Sequence, residues 1–384
     1  MKEEFLQYVR KVSRNRKVGI WGTGKKAVEA IKIADNAGIE IDAFIDNDEN
    51  KWQNHFFDKI VLSPAGISKE WYVLIGIGYS PHIISQLNDM GFVEGEDFIA
   101  ILEQGFYEAL DKHKDAPRVP DITTQILDNI TNEIVYRIPY EYVTWFNKKE
   151  FDHFEEKLDV SILYNKKYSK RYRRKLMEHF CSYQLLEQME WGKQDIFIDI
   201  AGGSSPFAKY LREQEHILAY SIDICKSQYS YLDYYIQGDA SHTDFQDGSV
   251  TAVSIQSSFE TFPGDLDIRI VKEIARILKP EGKAFICPLY IHEKQLSMVS
   301  PSHYKTGLAD ENSIEVLRTD CRDALPMSRY YSIKGLEERL LGKARRWGLA
   351  CKIYILPDEI VEKDGFVYFK YILEFAKVSG TDFQ

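Results

Sequence analysis

Ile196-Phe197-Ile198-Asp199-Ile200-Ala201-Gly202-Gly203-Ser204-Ser205-Pro206-Phe207-Ala208-Lys209-Tyr210-Leu211 is the stretch whose reading organises the chain. An apolar run closes on Asp199, small residues fill 201 to 205, and Pro206 opens a segment with apolar side chains at helical spacing, Phe207, Tyr210 and Leu211. The pattern predicts a strand, a tight turn and a helix start. Proline suits a first helical turn, where its missing N–H costs nothing. Small side chains let a ligand approach the backbone, and a helix N-terminus presents free N–H groups. Alone, this describes a nucleotide-type loop of an α/β fold.

The segments downstream of this loop narrow the choice. A second strand, Leu218 to Ile224, carries Asp223 about 20 residues past the loop, the usual place for an acid that takes ribose hydroxyls. Gly238-Asp239-Ala240 belongs to a third element. A fourth strand, Val250 to Ser254, runs into Gln256-Ser257-Ser258-Phe259-Glu260, and an amphipathic helix comes next (Ile270, Ile274, Ile277, Leu278). A Lys279-Pro280-Glu281-Gly282-Lys283 turn then leads into an apolar strand, Ala284 to Leu289. Through Asp199 to Ser205, Asp223, Gly238-Asp239-Ala240 and the turn from Ile277 to Lys283, the last half of the chain resembles the class I S-adenosylmethionine (SAM) dependent methyltransferases.

The resemblance implies an α/β fold with a seven-stranded sheet, and SAM as cofactor. It implies Asp199 and the backbone of Ala201, Gly202, Gly203, Ser204 and Ser205 at the methionine part, and Asp223 with the adjoining Ile224 around the ribose. Asp239 and Ala240 fall at the adenine, and Ser257 near the point where the methyl emerges. The family's loop reads Asp-x-Gly-x-Gly-x-Gly, whereas Ala201, Gly203 and Ser205 hold the three glycine places here. A positive φ at either non-glycine position would cost about 1 kcal/mol or more. The family's acid near the start of the fourth strand is also missing, where Gly248-Ser249-Val250-Thr251 stands instead.

Composition sets outer bounds. A chain of 384 residues is too long for one such core and suggests two domains. A formal charge of −10 repels phosphate and argues against non-specific nucleic-acid binding. Cys181, Cys225, Cys287, Cys321 and Cys351 show no metal or redox spacing and suggest free thiols in a reducing compartment. Met1 to Arg16 lacks the apolar core of a signal peptide, and no stretch approaches the ~20 apolar residues of a membrane span, so a cytoplasmic protein is expected.

Upstream, Lys17 to Trp21 reads as a strand, followed by Gly22-Thr23-Gly24-Lys25-Lys26-Ala27 and a helix through Ala34. A second strand, Ile41 to Ile45, ends in Asp46, and further strands fall at Lys59–Leu62, at Trp71–Ile77 and near Phe98. The loop with Asp46 follows the dinucleotide fingerprint. The domain, ending near Leu110, lacks the second mononucleotide half that NAD usually needs. From Lys17 to Ile101 it resembles the small Rossmann-like domains at the N-termini of bacterial sugar acyltransferases and capsule-pathway enzymes, which hold a nucleotide-sugar at this loop. That resemblance implies Gly22, Thr23, Gly24 and Lys25 around a pyrophosphate and Asp46 facing a ribose or sugar hydroxyl. A structural or oligomerising domain, whose glycines only turn the chain, stays open as the alternative.

The expected layout is therefore two Rossmann-like domains, residues 1–110 and 193–384, joined by a linker (Asp111 to Asp121) and a helical cap within 111–192. Tyr168 to Met189 is the clearest cap helix. Lys166 to Lys175 is the one basic run, which fits a solvated helix face, a phosphate-bearing substrate or a nucleic acid. Leu289 to Leu325 is a long insertion leaving the carboxyl end of the fifth strand, where ligands sit in open α/β sheets, and it is expected to build the acceptor pocket. Its Tyr290 and Tyr304, with Arg329 and Tyr330 beyond it, are the candidate substrate residues, Arg329 for an anionic group. For a general base the candidates are His292, His303, His242 and Glu260, and no spacing singles one out. Glu260 could equally cap the helix after Pro263. No His or Cys completes a metal set with Asp265 and Asp267.

The function expected is SAM-dependent O-methylation of a sugar or nucleotide-sugar in bacterial surface-glycan biosynthesis, the carbohydrate part by analogy of layout. Two rivals stand beside it: a non-catalytic SAM- or nucleotide-binding assembly module, and an NAD-linked oxidoreductase fusion. An exposed Rossmann edge strand would support a homodimer, though nothing in the sequence demands one.

Overall fold

The computed structural model describes residues 3–78, 80–158, 170–203, 205–226, 230–319, 325–358, 360 and 369–379. Ser204, Cys321 and residues 166–169 of the basic run lie outside these.

The first sheet has six strands: β1 (Lys17–Trp21), β2 (Ala43–Ile45), β3 (His55–Phe56), β4 (Lys59–Leu62), β5 (Trp71–Ile75) and β6 (Phe98–Ile99). Their order is β3-β4-β2-β1-β5-β6, parallel except for the short β3 hairpin. Both faces are covered, so β1 and β5 read as continuous apolar runs. Helices α1 (Glu3–Ser13) and α2 (Lys25–Asn36) bury Phe5, Leu6, Val9, Ala27, Ala30 and Ala34 on one face, and α3 (Pro81–Asp89) buries Ile83, Ile84 and Leu87 on the other.

Helix α4 (Gln104–Lys112) leads into the stretch read as a linker. That stretch is not free: Leu317 N–H donates to Pro117 O at 2.8 Å and Val119 N–H to Leu317 O at 3.2 Å. It thus adds an edge to a small sheet built within residues 296–330. Helices α5 (Thr124–Arg137) and α6 (Lys148–Lys157) flank β7 (Tyr140–Tyr142), and α7 (Lys170–Glu187) comes after them. Leu176, Met177, Phe180 and Cys181 of α7 enter the main core.

The second sheet contains β8 (Ile196–Ile200), β9 (Leu218–Asp223), β10 (Tyr235–Gln237), β11 (Val250–Gln256), β12 (Leu278–Cys287), β16 (Leu349–Ile355) and β17 (Tyr371–Lys377). The order is β10-β9-β8-β11-β12-β17-β16-β7. The expectation of seven strands needs correction. Tyr140–Tyr142, from the segment expected to be a helical cap, pairs parallel with β16 and makes an eighth. Helix α8 (Phe207–Glu213) packs on β8 and β9, and α9 (Leu266–Ile277) on β12.

The insertion after β12 is also not irregular. Strands β13 (Leu296–Val299), β14 (Ile314–Leu317) and β15 (Met327–Tyr330) form a third sheet, ordered β14-β13-β15. Among the described residues no helix is long and apolar enough to cross a membrane.

Candidate active site

Strands β8, β9 and β11 are parallel neighbours, so their carboxyl ends share one rim. Asp199 sits there with 1% exposure. Its Oδ1 accepts from Ser254 Oγ at 2.7 Å, while Oδ2 is enclosed without a hydrogen-bond partner. Burial, reinforced by Asp223, pushes its carboxyl up to about 7 against the pull of Ser254, Lys175 and Ser205.

The loop after β8 carries real strain. Ala201 has φ +54°, so the family's first glycine place does need the left-handed region, and alanine bears the cost there. Gly203 has φ +51°. Gly202 is fixed by space: a Cβ would lie 2.4 Å from Ser221 Oγ and 2.8 Å from Asp199 Oδ2. Ser221 Oγ also has no hydrogen-bond partner and is buried. Two orphaned oxygens under a small-residue loop suit an ammonium-bearing ligand, since buried polar groups are normally satisfied. The residues present therefore fit the amino-acid end of SAM.

Asp223 ends β9, its Oδ1 accepting from Cys225 N–H at 2.8 Å and its carbonyl from Gly238 N–H at 2.9 Å. That second bond brings the Gly238–Ala240 loop to the same rim. Ile224 is 72% exposed, an apolar surface free to underlie a ring. Asp239 Oδ1 accepts from Ser241 N–H at 2.8 Å, which holds its carboxyl below the usual range. Ser257, just past β11, has φ +49° and an enclosed Oγ without a partner. A recess of about 310 Å³ beside Asp239 is lined by Tyr220, Ile222, Phe245 and His242. Tyr220 and Ile222 alternate with Ser221 and Asp223 along β9, so this recess lies on the opposite face of the sheet.

A second cluster forms where β11 and β12 end. Glu260 lies in a turn after β11, and its Oε2 is enclosed without a partner. Burial lifts its carboxyl to about 7, opposed by Lys175 and Arg318 and aided by Glu178. It does not cap α9, whose N-cap is Asp265. Tyr290, beyond β12, stacks on Tyr330 with ring centres 5.5 Å apart, and His292 faces the same tyrosine at 6.4 Å. His292 Nδ1 accepts from Lys294 N–H at 3.0 Å, so the neutral ring carries its proton on Nε2. That Nε2 is enclosed without a partner, and burial lowers the ring's pKa. The geometry makes His292 a donor here and not the base.

Other expected roles change. Arg329 is 0% exposed and holds Asp310 through Nε at 2.7 Å and Nη2 at 3.0 Å, with Asp267 at 3.3 Å. Asp267 also accepts from Arg339 Nε and Tyr331 Oη, each at 2.7 Å. Arg329 is thus committed to internal carboxylates, although its enclosed Nη1 makes no hydrogen bond. His303 accompanies Ser300 at 2.9 Å in a turn packed on α4, and Tyr304 meets His113 with ring centres 5.1 Å apart. Both belong to the contact between insertion and linker. The basic run is not a purely solvated face: Lys175 is buried and pairs with Glu178 at 2.7 Å. Sequence reasoning missed Ser221, Ser254, Gln256 and His179. Only the two-residue period that aligns Ser221 with Asp223 hinted at the first of them.

In the first sheet, Gly22 has φ +112°, and a Cβ would lie 2.3 Å from Ile77, so glycine is required. Gly24 caps α2 with no side chain over it, and Lys25 is exposed. Asp46 is occupied: Oδ2 accepts from Thr23 Oγ1 at 2.5 Å and Lys51 Nζ at 3.0 Å, and Oδ1 from Asp48 N–H at 3.0 Å. Burial raises its pKa, but these bonds outweigh it and hold the carboxyl below its ordinary value.

Residues 198–286 match the family described as a methyltransferase domain, and residues 14–96 match the family described as C2185-like, N-terminal. Among solved structures, the chain is similar to 1,6-didemethyltoxoflavin-N1-methyltransferase from Burkholderia thailandensis, at 10% identity over 69% of this chain and 94% of that one, TM-score 0.37. Geranyl diphosphate C-methyltransferase from Streptomyces coelicolor A3(2) gives 13% identity, 58% and 89% coverage, and TM-score 0.35. A SAM-dependent methyltransferase from Methanosarcina mazei gives 14% identity, 51% and 98% coverage, and TM-score 0.35. No curated protein matches the sequence. The matched segment contains the Asp199 loop, Ser221, Asp223, Asp239 and Glu260, so these residues belong to a methyltransferase domain.

Proposed function

We propose that the chain methylates a hydroxyl of a small acceptor, a sugar or nucleotide-sugar, lying between the ends of β11 and β12 and the third sheet. SAM supplies an activated methyl on a sulfonium leaving group; Asp199, the 201–205 backbone and Ser221 would hold its amino-acid end, Asp223 and Ile224 its ribose, and Asp239 and Ala240 its adenine. With the leaving group already activated, the protein's task is alignment, which supplies roughly 7–11 kcal/mol in well-oriented reactions. The acceptor's proton remains to be taken. Glu260 is the base in this reading, because a carboxyl near 7 is matched to working pH. Tyr290 and Tyr330 stand on the acceptor side in this reading, and His292 Nε2–H donates to one of the sugar's oxygens.

The observation that carries this reading is the pairing of two sets of enclosed polar atoms without partners. Asp199 Oδ2, Ser221 Oγ and Ser257 Oγ lie on the cofactor side, and Glu260 Oε2 and His292 Nε2 on the acceptor side. The carbohydrate assignment rests on analogy of layout and on the stacked tyrosines. In the same reading, residues 1–110 form a nucleotide-holding domain at Gly22–Lys25, residues 111–192 a connecting unit and residues 193–384 the catalytic domain. Because Asp46 is shared with Thr23 and Lys51, a ribose there must compete with both.

Thermal unfolding with S-adenosylhomocysteine, alone and with a panel of nucleotide-sugars, tests it. A ligand at 100 times its Kd stabilises by about 2.7 kcal/mol. A shift with S-adenosylhomocysteine and a further one with a nucleotide-sugar, followed by a methylated product in mass spectrometry, is the expected result. A shift with S-adenosylhomocysteine alone, and no methylated sugar from any member of the panel, would remove the carbohydrate assignment.

A further inference from the structure

A buried hydrogen-bond chain joins α7 to the Asp199 loop. His179 Nδ1 lies 2.6 Å from Gln256 Oε1, Gln256 Nε2 lies 3.1 Å from Ser254 Oγ, and Ser254 Oγ lies 2.7 Å from Asp199 Oδ1. His179, Ser254 and Asp199 are 3%, 0% and 1% exposed, so bulk solvent does not reach them. The imidazole also stacks on Phe207, the first residue of α8, with ring centres 5.3 Å apart and planes within 15°. His179 therefore touches the cap helix, the end of β11 and the start of the helix that follows the loop.

We propose that His179 is a positioning residue for the methyl donor: through Gln256 and Ser254 it sets the direction of the hydrogen bonds onto Asp199, and so presents that carboxyl to the donor's ammonium as a carboxylate. The proposal rests on the assignment of the Asp199 loop to SAM.

With any proton of Asp199 placed on Oδ1, the donor and acceptor inventory of the groups allows two self-consistent directions. In one, His179 Nδ1–H donates to the Gln256 carbonyl, the Gln256 amide N–H to Ser254, and the Ser254 hydroxyl to an ionised Asp199. In the other, Asp199 is protonated and donates to Ser254, Ser254 donates to a Gln256 amide turned by half a revolution, and that amide donates to a His179 Nδ1 whose ring proton sits on Nε2. The two differ by one proton, held on Asp199 in the second, and the imidazole is neutral in both. Mixed directions set two lone pairs or two hydrogens face to face in a buried space, which is costly. A proton on His179 Nδ1 thus commits Asp199 Oδ1 to accepting and disfavours a proton on that oxygen.

The charges around the chain agree with this division. Asp199 faces Asp223 from β9 and Lys175 from α7, with Ser205 nearby in the loop. His179 faces Glu178 and Lys175 on its own helix and Gln256 on β11. Burial holds the imidazole near 4, so it stays neutral through the range in which Asp199, raised to about 7, titrates. Affinity for an ammonium-bearing ligand should therefore rise with pH through about 7.

Two measurements test the proposal. The first is calorimetric titration of S-adenosylhomocysteine between about pH 6 and pH 9 into the full-length protein and its H179F and H179N variants. H179F keeps the stacking on Phe207 but has no donor; H179N returns an N–H to the Nδ1 position. Expected is about a tenfold loss of affinity in H179F at neutral pH, the size of one lost hydrogen bond, with its pH midpoint moved upward, and recovery to within about threefold in H179N. The second needs no folded variant: imidazole ¹⁵N shifts of the wild-type protein should move from the Nε2–H to the Nδ1–H tautomer as pH rises and stay at Nδ1–H with S-adenosylhomocysteine bound. A folded H179F that binds like wild type, or a His179 tautomer that never changes with pH or ligand, overturns the proposal and leaves the cofactor assignment standing. Failure of the wild-type protein to bind S-adenosylhomocysteine at any pH overturns both.

Discussion

Glu260 carries the chemistry proposed for the acceptor, and its surroundings set the pH behaviour. Its carboxyl is raised to about 7 by burial, so the basic form accumulates as pH rises through that value. With the acceptor identified and SAM saturating, so that the Asp199 titration does not enter, kcat/KM for the acceptor should climb with pH and level off above about 7. E260Q should lose that limb and fall by about 10²- to 10⁴-fold, the usual contribution of a positioned base. An unchanged limb in E260Q would move the base elsewhere. Among the candidates, the sequence offered no ground for choosing Glu260 over His292. The choice comes from one backbone bond, Lys294 N–H to His292 Nδ1, which commits the other ring nitrogen to donating. Likewise the Ala201 departure could be named from the sequence, but its cost depended on the sign of φ, which neighbours in space impose.

At the scale of elements, the third sheet is held to α9 and to the helical segment after Ser332 by buried charges. Asp267 on α9 accepts from Arg339 and Tyr331 and faces Arg329, which Asp310 grips from the insertion. Burial raises the pKa of Asp267, but the arginines and Tyr331 outweigh it and hold the carboxyl low. Its folded-state pKa lies below the ordinary 3.8, so its contribution is complete above that value and is lost as pH falls through the folded pKa. D267N leaves Arg329 buried with one carboxylate fewer and should destabilise by about 3–5 kcal/mol, since breaking a buried pair strands its partner. Urea unfolding at pH 7 measures this; a change under about 1 kcal/mol would show that the network is not buried in solution. The elements themselves were legible. β1 and β4 fall where the alternation and apolar runs placed them, because local spacing alone decides which residues can face a core. The strands of the insertion were not, because β13 and β14 are short and their pairing partners are distant in sequence.

For the whole molecule, the connection between the two large sheets is the decisive feature. Residues 116–119 add an edge to the third sheet, with Ala116 against Val299, Leu317 and Met327, and Val119 against Leu296, Met298 and Val316. A stretch laddered in this way resists proteases, which act on exposed, unbonded backbone. Limited trypsin digestion under native conditions should therefore spare the bond after Arg118 for as long as the protein stays folded. Rapid separation of the chain at that bond would contradict the pairing with Leu317.

By itself, the sequence determined that the chain is α/β, that a small-residue loop follows Asp199, and that Asp223 lies at the next strand end. Each of these depends on residues near one another in sequence, where spacing and small side chains act directly. Only the tertiary structure decided that Arg329 is spent on Asp310 and Asp267, that Tyr304 belongs to an internal contact, that Tyr140–Tyr142 adds an eighth strand, and that His179 reaches Asp199 through two intermediaries. Those outcomes depend on which distant groups share a dry space, and burial, not residue type, then decides whether a charge is satisfied inside the protein or left for a ligand.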